Sequence, residues 1–118
     1  MSSTMTLRFW KTSSGRSPVE EFITKLRDAG VQQAIYDMLE LIETSDQKDL
    51  MASGTLDPVA GYKPLLETRI RRGKSRYRLL SVTMEAICWA LHMFPKKSQK
   101  IPPKELDTAM KRAKTVIN

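Results

Sequence analysis

The order of apolar and polar positions divides the chain into a helical first half and a strand-rich second half. Residues 6–11 (TLRFWK) are rich in aromatic and β-favouring types, which predicts a short first strand. A turn follows at residues 13–16. Ser17-Pro18-Val19-Glu20 then predicts a helix start. Ser17 caps, Pro18 fits the first helical position and Glu20 completes a capping box. Val19, Phe22, Ile23 and Leu26 recur at helical spacing until Gly30 breaks the pattern. A second helix is predicted over residues 31–44, with Val31, Ile35, Met38, Leu39 and Ile42 inward. The two segments predict an antiparallel helical hairpin. Residues 46–64 are a connector punctuated by Gly54, Pro58, Gly61 and Pro64. Its length calls for a short helical turn near Leu50 or a segment wrapping an edge of the fold.

Three strands are predicted beyond it, at residues 65–71, 75–82 and 86–94. The turns between them are too short for parallel crossovers, so the pairs are antiparallel. Residues 86–94 are apolar on both faces, the mark of a central strand covered on two sides. After a polar loop at 96–102, Pro103 opens a last helix with Leu106, Ala109, Met110 and Ala113 as its buried stripe. The fold class is α+β. A mostly antiparallel sheet of about four strands is expected, in the order β-α-α-β-β-β-α, with the helices on one face. The 118 residues are expected to form a single domain, 1–118.

Composition narrows the function. Cys88 is the single cysteine, which excludes an internal disulfide framework. With His92 the single histidine, no zinc set is available, and neither a metal nor a cofactor is expected. The longest apolar stretch, residues 86–94, is far short of the roughly 20 residues of a membrane span. No secretory signal is read at the N-terminus, so the expected compartment is the cytoplasm.

Charge is uneven along the chain. Residues 1–60 hold 6 basic and 9 acidic side chains, whereas residues 61–118 hold 14 basic and 4 acidic. Residues 63–78 carry seven cations and one acid, Glu67. Such a concentration attracts polyanions, nucleic acid above all.

Alternation along a strand places Leu66, Thr68 and Ile70 on one face and Glu67, Arg69 and Arg71 on the other. In the next strand Arg76 and Arg78 share a face, and hairpin pairing sets them beside Arg69 and Arg71. Guanidinium groups so crowded are either paired by Glu67 and other acids or arranged to hold a phosphate, for which Arg supplies a planar fork of donors. Lys96 and Lys97 stand where the central strand ends, with Lys100 just beyond. His92 reads more readily as a packed, hydrogen-bonded residue than as a catalyst. Cys88, Trp10 and Trp89 read as core.

The run Leu66-Glu67-Thr68-Arg69-Ile70-Arg71, then Arg76-Tyr77-Arg78-Leu79-Leu80, then Phe94-Pro95-Lys96-Lys97-Ser98-Gln99-Lys100-Ile101-Pro102 before a helix with Ala109 and Arg112, resembles the RelE/ParE superfamily. Within it the chain is most similar to HigB-type, phage Gp49-like toxins. The resemblance implies a toxin of a type II toxin–antitoxin module. Its RelE- and HigB-like members are ribosome-dependent, metal-independent mRNA endoribonucleases, in which a ribose 2′-OH attacks the adjacent phosphate. It implies catalytic roles for Arg78, Arg69, Lys96 and Lys97, and RNA-phosphate contacts from Arg71, Lys74, Arg76 and Lys100. It also implies three partners: a small helix-turn-helix antitoxin, the ribosome and mRNA. RelE- and HigB-like enzymes often carry a Tyr or His near the chain end for proton transfer. Residues 111–118 contain neither. A lysine, then Tyr77 or His92, are the remaining candidates. Two other readings keep the fold: a ParE-like inhibitor of DNA gyrase without catalysis, and an inactive phage-derived binding protein.

Overall fold

The computed structural model describes residues 4–117. The elements run β1 (Thr6–Phe9), α1 (Pro18–Thr24), α2 (Ala29–Thr44), α3 (Gln47–Ala52), β2 (Asp57–Pro58), β3 (Leu66–Arg72), β4 (Ser75–Met84), β5 (Ile87–Pro95) and α4 (Pro103–Ile117). The class is α+β, with one five-stranded sheet in the order β1-β5-β4-β3-β2.

Local chemistry sets the helix starts. Ser17 caps α1, its side chain accepting from the Glu20 amide, with Pro18 in the first turn. Asp28 caps α2 by accepting from the Gly30 and Val31 amides at 2.8 and 3.1 Å. That helix therefore begins at Ala29, two residues before the expected start, because Gly30 is tolerated in the first turn beside a strong cap. The connector contains both features its length called for. Asp46 caps α3, which buries Leu50, and Asp57–Pro58 forms a two-residue edge strand on β3.

Two expectations about the sheet need correction. It has five strands, not four, and it is mixed: β1 pairs parallel with β5, Thr6 opposite Ile87 and Phe9 opposite Ala90. Nearly the whole domain lies between β1 and β5 in sequence, ample chain for a parallel crossover. The helices also do not share one face. Val19, Ile23, Val31, Ile35 and Leu39 of α1 and α2 pack with Ile70, Leu79, Ala90 and Met93. Leu106, Ala109 and Ala113 of α4 pack with Leu80, Val82, Leu91 and Phe94. Successive residues of β4 thus feed opposite cores, and β5 is covered on both sides as its unbroken apolar run required. A third cluster, Met5, Ile42, Leu50, Leu56, Leu66 and Cys88, closes the end near α3. Burial there pushes the Cys88 thiol up to about 11.

The β4–β5 pairing slips by one residue between Leu80 and Ser81. Such a bulge puts an extra residue in one strand. Leu91 joins the core that α4 closes, and His92, opposite Leu80, also meets α4, so the two no longer lie on opposite faces. Glu85 and Ala86 turn the hairpin with φ of 51° and 65°, the left-handed geometry that two-residue loops demand.

Candidate nucleic-acid interface

The β3–β4 register sets Arg69 opposite Arg78 and Arg71 opposite Arg76. All four arginines therefore rise from the α4 face of the sheet. The core beneath α4 gathers around Leu80, Val82, Leu91 and Phe94, and Arg69, Arg71 and Arg76 are exposed. Arg69, Arg71, Arg76 and Lys96, together with Ile70 and Tyr77, whose side chains turn to the α1–α2 side, line a concavity of about 190 Å³. A second, of about 230 Å³, adjoins it and is lined by Arg76, Lys96, Lys97, Ser98 and Gln99. Arg76 and Lys96 wall both. Their backbones are joined, the Lys96 amide donating to the Arg76 carbonyl at 2.9 Å.

The structure thus brings together Arg69, Arg71, Arg76, Lys96 and Lys97 from β3, β4 and the segment after β5. Lys74 stands apart at the exposed hairpin turn, and Lys100 is exposed but does not line either concavity. Ser98 and Gln99 line the second one and had no signal in the sequence beyond their place between lysines.

Arg78 behaves differently from its neighbours. It is only 2% exposed. Its Nε lies 2.7 Å from Glu67 Oε2, and its Nη atoms donate to the carbonyls of Gln99 and Lys100. Glu67 Oε1 receives Arg69 Nη1 at 3.2 Å, and Asp57 Oδ2 lies 3.3 Å from the same nitrogen. The Arg69 side chain is half exposed, so those pairs are worth little against a phosphate. The Arg78 pair is out of water. Both readings of the arginine cluster are therefore present: Glu67 pairs two guanidiniums, and Arg71 and Arg76 make no ion pair among the described residues.

His92 lies outside the concavities. It stacks on Phe94, with centroids 5.3 Å apart, and its Nε2 is 3.0 Å from Glu105 Oε1 of α4. Arg112 Nη1 is 3.4 Å from Nδ1 and donates to the Leu91 carbonyl at 2.8 Å. Burial lowers the His92 pKa and outweighs the raising effect of Glu105. The unfolded histidine takes up a proton near pH 6.5, whereas the folded one stays neutral to lower pH. Stability from this group is therefore complete above pH 6.5 and declines as pH falls toward the lowered folded value. The slope cannot exceed one proton, about 1.4 kcal/mol per pH unit. Melting curves at pH 8 and pH 5 are expected to differ less in His92→Phe than in the wild type. Equal differences would show that His92 titrates alike in both states.

Among the described residues, no three His, Cys, Asp or Glu side chains gather where they could hold a metal ion. No helix among them is long and apolar enough to cross a membrane.

A family model described as phage-derived protein Gp49-like matches residues 21–114. The chain belongs to the Gp49-like family. This is a family of RelE/HigB-like toxins, and it ties the protein to toxin–antitoxin systems. The match runs from α1 into α4 and contains every residue of the cationic cluster. The chain matches no curated protein.

Proposed function

We propose that this Gp49-like protein is the toxin of a type II toxin–antitoxin module and a ribosome-dependent mRNA endoribonuclease. The reading rests on one observation above the rest: Arg69, Arg71, Arg76 and Lys96 surround a single concavity, with Lys97 in the adjoining one. In the proposed reaction a ribose 2′-oxygen bonds to the adjacent phosphorus while the bond to the 5′-oxygen breaks. The products are a cyclic phosphate and a free 5′-OH. The 2′-OH proton leaves to a base, and the 5′-oxygen gains one. Charge builds on the phosphate oxygens between these events, and fixed guanidinium and ammonium groups stabilise it where it forms. The lining side chains include neither histidine nor carboxylate. Proton transfer falls to Lys96, because the Tyr77 ring, although the residue borders the same concavity, packs edge-on against Phe22 on the α1–α2 side of the sheet. A basic protein of this kind acts on ribosome-bound mRNA and is silenced by a small helix-turn-helix antitoxin.

Two features favour a second reading, inhibition by contact in the manner of a gyrase inhibitor: Arg78 is turned inward, and the residues lining the concavities include no histidine and no carboxylate. Adding the protein to a translating extract and mapping mRNA 5′ ends separates the two. New 5′-OH ends that require ribosomes are expected. Intact messages at doses that arrest translation would overturn the nuclease reading, and blocked supercoiling alongside intact messages would assign the second.

A further inference from the structure

We propose that Arg78 and Glu67 form a buried clasp that aims the cations of the site, which makes both of them positioning residues. The proposal rests on the RNA reading above and gives Arg78 a different task from the catalytic role that the family resemblance implies.

The segment after β5 has no regular structure until Pro103, yet it carries Lys96 and Lys97. It is tied at two points. The Lys96 amide is held by the Arg76 carbonyl, and the carbonyls of Gln99 and Lys100 are held by the two Nη atoms of Arg78. Ser98 Oγ donates to the Lys100 carbonyl at 2.7 Å and tightens the turn between them. The guanidinium is itself anchored by Glu67 Oε2, and the other oxygen of that carboxylate takes Arg69. One buried ion pair therefore sets the loop that carries two lysines and steers one arginine of the concavity. The task needs an arginine, because its two Nη atoms reach two carbonyls at once while Nε meets Glu67 as an ion pair without an aligned hydrogen bond, and a lysine ammonium is a single point charge. A 2%-exposed group is poorly placed to meet a phosphate arriving from solvent.

The test uses Arg78→Lys, which keeps the charge and loses the fork, with Arg76→Ala for comparison. Amide hydrogen exchange is followed over residues 96–100. Binding of a 2′-O-methyl oligouridylate, which cannot be cleaved, is titrated against salt. For single strands each lost phosphate contact lowers the slope of log K against log salt by about 0.7. Arg76→Ala is expected to lose about that much slope and to leave exchange in the loop unchanged. Arg78→Lys is expected to speed loop exchange by about tenfold and to weaken binding with the slope preserved, since no contact is removed. A slope lowered in Arg78→Lys would make Arg78 a phosphate ligand and overturn the proposal, as would unchanged exchange in the loop. Should Arg78→Lys fail to fold, the double variant Glu67→Met/Arg78→Met removes the clasp without stranding a charge, and the same two outcomes apply. A wild type that shows no salt-dependent binding counts against the RNA reading, while exchange still decides the clasp.

Discussion

Arg76→Ala is expected to lower mRNA cleavage by about a hundredfold or more, on the scale of removing one preorganised donor from a developing oxyanion. Arg76 walls both cationic concavities, and its side chain is exposed. It makes no ion pair among the described residues, so its charge is not spent inside the protein. Surface substitutions of this kind shift stability by no more than about 0.5 kcal/mol. The Arg76→Ala melting temperature should therefore stay close to wild type while new mRNA 5′ ends disappear. Arg71→Ala lines one concavity only and is expected to lose less. Lys74→Ala, at the hairpin turn, is expected to lose least. Cleavage by Arg76→Ala at the wild-type rate would remove the concavity from the mechanism.

The alternation of β3 was legible because that strand has one apolar and one charged face, and in β4 the spacing of Arg76 and Arg78 marked a shared face that runs on into Leu80 and Val82. Hairpin pairing brings the two charged stretches together, and the two-residue turn Gly73-Lys74, one residue shorter than expected, sets Arg69 opposite Arg78 and Arg71 opposite Arg76. Alternation says which side chains share a face. It does not say what covers that face. The unbroken apolar run of β5 did carry that information, since it called for cover on both sides, although the helices were expected on one face only. The parallel partner β1 was hidden because pairing between distant segments leaves no local mark, whereas hairpins announce themselves by short turns. The fate of Arg78 was hidden for a related reason. Glu67 visibly shares its face, but the Gln99 and Lys100 carbonyls that complete its environment are backbone groups, identical in every sequence. Arg76 and Arg78 look alike on the page, and only depth relative to the 96–100 segment separates an open cation from a buried one.

That difference in depth governs the response to mutation. Arg78→Ala is expected to cost about 3–5 kcal/mol, the range for breaking a buried ion pair by removing one partner. The Glu67 side chain is only 11% exposed and would keep just the solvent-facing Arg69 as counter-charge. The Gln99 carbonyl would lose the Arg78 donor in the same step, and the Lys100 carbonyl would keep only Ser98 Oγ. Domains are stable by about 5–15 kcal/mol in all, so this one change approaches the whole margin. For a chain of this size it corresponds to a fall of roughly 12–20 °C in melting temperature. Core truncations such as Leu79→Ala cost a similar amount, about 2–5 kcal/mol, through lost packing. The two causes part in the double variant. Replacing both Glu67 and Arg78 by methionine fills the space and strands no charge, so stability should return to within about 1 kcal/mol of wild type, as apolar replacement of buried pairs often does. Arg78→Met separates lost volume from stranded charge, because it fills the same space as the double variant and still leaves Glu67 unpaired, so it should remain well below the double variant in stability. Urea unfolding of the single and double variants decides the matter. A double variant no more stable than Arg78→Ala, or an Arg78→Ala loss under about 1 kcal/mol, would mean that desolvated charge is not what the pair contributes.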